Sequence, residues 1–148
     1  MSIRPQYRFR FWSAATAVYW FVLAWMTHYP DAKALTPDFL EETFADKVFH
    51  GAAFTGLAFL IAFAAAAWSE MRNVERGRAT KVASLFTLAT ISLYAVTDEF
   101  TQPLTGRTFE VGDLVTDLVG VVCGILIFRA LRGFGSPRPG MSGERGRG

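Results

Sequence analysis

Four apolar runs occupy positions 11–27, 48–68, 82–96 and 114–131, and polar connections separate them. Each is near the ~20 residues that a helix needs to cross about 30 Å of hydrocarbon. The third is the shortest and carries Ser84, Thr87, Thr90 and Ser92. The runs are continuous rather than alternating. A strand of a membrane barrel alternates lumen-facing and lipid-facing residues, whereas a helix satisfies its backbone internally and can be apolar on every face. The pattern therefore predicts an all-α protein, a bundle of four transmembrane helices.

Composition agrees with that class. The 148-residue chain is 51% hydrophobic and 15% aromatic, more than an ordinary soluble domain carries, and its mean hydropathy is +0.25. Its length allows one compact unit, read as a basic N-terminus over 1–10, a membrane domain over 11–131 and a tail over 132–148. The tail is rich in Gly, Pro and Arg and too poor in apolar residues to fold. A formal net charge of +2 gives no footing for nucleic acid. The lone cysteine, Cys123, excludes an internal disulfide and a Cys-based zinc site, and is read as a small packing residue of the fourth helix. No cofactor is implied.

Lys and Arg set the orientation, because connections that stay in the cytoplasm retain positive charge. The N-terminus holds Arg4, Arg8 and Arg10; the second connection Arg72, Arg76, Arg78 and Lys81; the C-terminal end Arg129, Arg132, Arg138, Arg145 and Arg147. These twelve face three, Lys33, Lys47 and Arg107, in the other two connections. Both termini are therefore expected in the cytoplasm. Arg4, Arg8 and Arg10 before an apolar run, with Ala32-Lys33-Ala34 after it, also resemble a signal peptide. The run is longer than a signal core, and Trp12, Tyr19, Trp20 and Trp25 suit interface anchors, so a retained first helix is expected.

In this topology the polar residues of three helices meet at the non-cytoplasmic face. Asp46, Lys47 and His50 open the second helix; Asp98, Glu99 and Gln102 close the third; Asp113 and Asp117 open the fourth. Residues three or four apart share a face, so Asp113, Asp117, Gly120 and Gly124 form one stripe, and the two glycines let a neighbouring backbone approach. Ser92, Ala95, Glu99 and Gln102 form another, with Arg107 as the expected partner of its carboxylate.

The segments "DKVFH" and "DEFTQPLTGRTFEVGDLVTDLVG" resemble the VanZ-like family of small bacterial membrane proteins. Asp46, Lys47 and His50 fit its first element, Glu99 and Gln102 the second, Gly106 and Arg107 the third, and Asp113, Asp117 and Gly120 the last, a motif core spanning 46–124. Asp117 stands where many members have Asn, and Thr105 where Pro often precedes Gly-Arg. The resemblance implies a multi-pass protein of the bacterial plasma membrane. It also implies a link to tolerance of teicoplanin-type glycopeptides; the outward location of the polar site, in turn, suits a role in the cell envelope, the partners being the bilayer and a lipid-linked precursor or glycopeptide.

Three readings of the polar cluster compete. In the first it is a structural ion-pair network, Lys47 and Arg107 neutralising Asp46, Glu99, Asp113 and Asp117, and the protein is a non-catalytic scaffold. In the second it is catalytic: His50 is a general base tuned by Asp46, Glu99 assists, and Lys47 and Arg107 bind an anionic group beside Asp98, Gln102, Asp113 and Asp117. Whether the protein is an enzyme is left open by this reading, since no Ser or Cys nucleophile lies in the cluster. A third reading uses His50, Asp98, Glu99, Asp113 and Asp117 for Mg²⁺, Mn²⁺ or Ca²⁺, but the spacing carries no metal signature and no metal is assigned.

The remaining features have simpler readings. Thr36 and Pro37 suit a helix start, predicting a short interfacial helix that could cover the site. His28 is read as an interfacial side chain, and "SEMRNVERGRATK" as a solvated cytoplasmic turn.

Overall fold

The computed structural model describes residues 4–28, 43–105 and 108–134, with backbone alone for positions 27–28, 43–46, 105 and 134. Four helices make the bundle: α1 (Pro5–His28), α2 (Thr43–Met71), α3 (Arg76–Thr101) and α4 (Val111–Phe134), with a 3₁₀ turn, Gln102–Thr105, ending α3. No strand occurs among the described residues. The expected interfacial helix near Thr36, the Ala32-Lys33-Ala34 segment, Arg107 and the tail beyond 134 lie outside the described residues, as does the side chain of His28.

Three helices are long and apolar enough to cross a membrane, over Lys47–Met71, Arg76–Leu104 and Val111–Gly133. The first has the length, 24 residues or about 36 Å at 1.5 Å per residue, and its Trp and Tyr side chains lower its hydropathy. The exterior is apolar: Phe21, Leu85, Leu93 and Leu126 are all more than half exposed. The interior by contrast is lined by small residues, with Ala58, Ala62, Ala66, Ala83 and Ala95 fully buried around Phe54 and Phe128. Lipid tails are as apolar as leucine, so helices in a bilayer gain by close packing rather than by hiding oily surface.

The third run proves longer than the pattern predicts, since α3 extends across 26 residues. Several of its hydroxyls bond back to their own helix, while Thr87 Oγ1 is buried with no partner among the described residues. Thr80 donates to the Arg76 carbonyl (2.8 Å), Ser84 to Thr80 (2.8 Å), Thr90 to Phe86 (2.8 Å) and Thr97 to Leu93 (2.9 Å). Polar by composition, the segment presents little unpaired polarity to lipid.

α2 is the centre of the bundle and touches each of the other helices. Against α1 it runs antiparallel. Arg8 reaches Glu70, Trp12 stacks on Phe63 at 4.6 Å, and the Tyr19 hydroxyl donates to the Ala53 carbonyl at 3.0 Å. Against α4 it runs parallel and very close. A Cβ on Gly120 would strike the Gly51 carbonyl oxygen, and one on Gly124 would strike that of Thr55. The Thr55 hydroxyl bridges the seam, lying 2.7 Å from the Gly51 carbonyl and 3.1 Å from that of Gly120. The predicted glycine stripe is thus the α2–α4 contact.

The expected solvated turn is short, and residues 71–73 and 75–78 are exposed. Asn73, at φ 59°, ends α2, with the Val74 N–H returning to the Ser69 carbonyl, so that only four residues separate α2 from α3. Glu70 pairs with Arg8 (3.0 Å) and with Arg132, which is 4% exposed. Arg132 Nε also donates to Thr80 Oγ1 (2.9 Å), and Arg76 donates to the Arg132 carbonyl (3.0 Å). One acid and its arginines thereby fasten all four helices at this basic end. Cys123 departs from expectation too: it is exposed on the outer face of α4 rather than packed inside.

Two predictions follow from the packing. Gly124→Leu will lower the thermal midpoint of detergent-solubilised protein, at a cost of about 1–3 kcal/mol for overpacking, while Val122→Leu on the outer face will leave it unchanged. Equal melting of the two variants would show that the seam tolerates bulk. At the basic end, Arg132→Ala removes a buried guanidinium and leaves Glu70 with Arg8, and will cost about 1.5–3 kcal/mol, the worth of a hydrogen bond to a charged group, whereas Arg8→Ala, on a partly exposed pair, will cost about 1 kcal/mol or less. The order of the two melting shifts is the check.

Candidate functional site

The acidic end is assembled by the start of α2, the end of α3 and the start of α4, and the parallel α2–α4 seam sets its register. Lys47 Nζ lies 2.9 Å from Asp113 Oδ1 and 3.4 Å from Glu110 Oε2. Its stem passes against Gly112, where a Cβ would meet the ammonium and the adjoining carbon at 3.0 Å each. One turn deeper, His50 Nδ1 stands 3.2 Å from Asp117 Oδ1. The two pairs are stacked: each joins α2 to α4, and moving from one to the other advances a single turn on both helices.

α3 closes the layer. Glu99, fully buried, accepts from the Gln102 side chain (3.0 Å) on one oxygen and from the Glu110 backbone N–H (2.7 Å) on the other. That second bond fixes how the chain enters α4, whose first turn carries Asp113 at the positive end of the helix dipole. Asp98, 1% exposed, accepts from the Tyr94 hydroxyl at 3.1 Å. Asp117 Oδ2 is buried with no hydrogen-bond partner among the described residues. The lipid side of the layer is greasy, Phe100, Leu104, Phe109 and Val111 all being exposed around it. The polar cluster therefore sits inside an apolar rim.

Of the residues singled out in the sequence, Lys47, His50, Asp98, Glu99, Gln102, Asp113 and Asp117 are gathered within this one layer. The described partner of His50 is Asp117 of α4; the backbone of Asp46 lies in the first turn of α2, its side chain outside the described set. The carboxylate Glu99 is held by Gln102 and a backbone amide, and Arg107 lies outside the described residues. No three His, Cys, Asp or Glu side chains among the described residues are placed to share a metal ion.

Sequence reasoning did not assign Tyr94, Glu110 or the Glu70–Arg132 pair. Tyr94 had a signal, since it precedes Asp98 by one helical turn. Glu110 shows in the sequence only as one more charge: its side chain pairs with Lys47, while its bond to Glu99 comes from a backbone amide, which any residue but Pro supplies. Glu70 reads as part of the turn and Arg132 as part of the C-terminal basic end, two segments far apart in the sequence that the fold brings together, with Thr80 of α3 beside Arg132.

No curated protein and no solved structure matches the chain. The family model described as VanZ/LLP1 matches residues 6–132, which takes in all four helices and every described residue of the polar layer. On that match, together with the all-helical bundle and its membrane-length spans, the chain belongs to the VanZ/LLP1 family.

Proposed function

We propose that this VanZ-like membrane protein lies in the bacterial plasma membrane with its acidic end outside the cytoplasm, where it engages the polar head of an amphiphile. A lipid-linked envelope precursor and a teicoplanin-type glycopeptide are both of that kind. The orientation rests on the twelve Lys and Arg of the basic side against three on the other.

The imbalance of the acidic end carries the proposal. Asp46, Asp98, Glu99, Glu110, Asp113 and Asp117 share these segments with only Lys47, His50 and Arg107. Asp98, Glu99, Asp113 and Asp117 are at most 3% exposed. Taking each charge out of water costs several kcal/mol. The basic end fastens four helices with a single acid, so a tie alone does not call for such an excess. Surplus buried acceptors suit a head rich in donors, an ammonium or a set of hydroxyls. Lys47 is already committed to Asp113 and Glu110, which argues against capture of an anion. Asp117 Oδ2, without a donor among the described residues, is where a ligand N–H or O–H would complete the layer.

An enzymatic reading would take His50 as base. Both oxygens of Glu99 are occupied, however, which favours binding over acid–base work by that carboxylate. The alternative with direct support is a non-catalytic scaffold, because Lys47–Asp113 and His50–Asp117 both join α2 to α4 as a structural tie would.

Calorimetric titration of teicoplanin and of phosphatidylethanolamine into purified protein separates these readings. Asp117→Asn and Asp98→Asn are expected to weaken binding of at least one probe about tenfold, the worth of one hydrogen bond to a charged group, with melting little changed. Wild-type affinity in both well-folded variants, or no binding by the wild type, would leave the scaffold. Orientation has its own check: Thr108→Cys in a Cys123→Ser background should react with a membrane-impermeant maleimide on intact cells. Labelling only after the cells are opened would reverse it.

A further inference from the structure

Between α1 and α3 the bundle is open to the side. A groove of about 790 Å³ runs there, floored by Ala64 and Ala65 of α2 and walled by Ala17 of α1 and by Phe86 and Ile91 of α3. Aromatic pairs mark its two ends. Phe9 and Trp68, 5.1 Å apart, close the basic end, and Trp20 and Tyr94, 6.0 Å apart, stand at the acidic end. From Val82 to Tyr94 is twelve residues of α3, about 18 Å along the helix.

The lining offers water little. The Thr16 hydroxyl donates to the Trp12 carbonyl (2.8 Å) and that of Ser69 to the Ala65 carbonyl (3.0 Å), so both are satisfied within their own helices. A water in such a space needs two to four polar partners and about 30 Å³ of liquid volume, and many would be required to fill it. Protein interiors are close-packed, and a void of this size at membrane depth, open to the bilayer, fills with what the bilayer supplies. Tyr94 joins the groove to the polar layer: its ring lines the groove and its hydroxyl donates to Asp98.

We propose that the groove is a binding site for one hydrocarbon chain of a membrane amphiphile, lying along α3 with its head at the acidic end beside Tyr94 and Asp98. Only the position of the head depends on the function proposed above. Occupancy by the chain depends on the groove alone. The length of the groove also limits the chain: one shorter than the groove leaves part of the lining bare, while a longer one gains no further contact.

Native mass spectrometry of the full-length protein, released from detergent with octanoyl, lauroyl or palmitoyl lysophosphatidylethanolamine, tests this. The wild type is expected to retain one lauroyl or palmitoyl molecule and to hold the octanoyl one about a hundredfold less well, as the loss of four buried methylenes implies. Ala64→Phe and Ala17→Phe, which fill the groove from floor and wall, should each lose the lauroyl molecule by a similar factor. Val119→Phe, on the exposed face of α4, should keep it. Groove variants that retain lipid like the wild type, or a wild type indifferent to chain length, would overturn the proposal. Should both filled variants fail to fold, the chain-length series on the wild type still decides. Asp98→Asn separates the two proposals: if the chain-length dependence persists while this variant retains the lipid unchanged, the groove stands and the head site falls.

Discussion

The close, parallel contact of α2 and α4 is the constraint on which the rest depends. Gly51, Gly120 and Gly124 bring the two backbones together, and the Thr55 hydroxyl spans them. Two helices that run in the same direction with equal rise hold one register from end to end. The contact that sets Gly51 against Gly120 also sets Lys47 against Asp113 and His50 against Asp117 above it, and Phe63 against Phe128 and Glu70 against Arg132 below it. Rotating α4 by one residue, about 100° on a helix of 3.6 residues per turn, would turn Asp117 away from His50 and press a side chain into the seam. In a bilayer there is little hydrophobic drive to hold helices together, so small-residue packing and polar pairs have to fix the register.

Around this seam the other helices have separate tasks. α3 runs antiparallel to both and brings Asp98, Glu99 and Gln102 over the top of the layer. Its short turn from α2 positions Thr80 against Arg132 at the other end. α1 stands apart. Its described ties are to α2, through Arg8, Trp12 and Tyr19, with the Trp20–Tyr94 edge reaching α3. Tyr19 lies so close to α2 that a Cβ on Gly56 would collide with its hydroxyl and ring. Pinned to α2 along one edge, α1 becomes one wall of the lateral groove.

The fold was legible because each apolar run is long and unbroken, and lipid leaves a backbone few alternatives. The glycine stripe at Gly120 and Gly124 was legible too, since the four-residue spacing specifies one helix face. Most of the polar layer could be read because the up-down weave forces the ends of α2, α3 and α4 to one side. The pairings were harder. The facing of His50 and Asp117 depends on the azimuth of α4, which is set by glycines a turn deeper. The pairing of Glu70 with Arg132 joins residues 62 positions apart, and the tight turn beside it has one Asn in the left-handed region as its signal. Cys123 reads as a packing residue by its chemistry; the same azimuth that points Gly120 and Gly124 at α2 turns it outward.

α3 borders both the groove and the polar layer, and its sequence shows how one helix serves two surroundings. Ile91 and Tyr94 face the groove, while Asp98, Glu99 and Gln102 complete the layer within two further turns. The ring of Tyr94 touches one region and its hydroxyl the other, so a displacement of Tyr94 by anything lodged in the groove must alter the hydrogen bond to Asp98. The hydroxyl residues along α3 bear on the same point. Side chains that donate to the carbonyl one turn back compete with the helical ladder and ease bending, and α3 carries them at Thr80, Ser84, Thr90, Thr97 and Thr101. α2 and α4 carry such hydroxyls as well, at Thr55, Ser69 and Thr116, but there the two backbones lie against each other. Tyr94 is the side chain at which the groove and the polar layer touch.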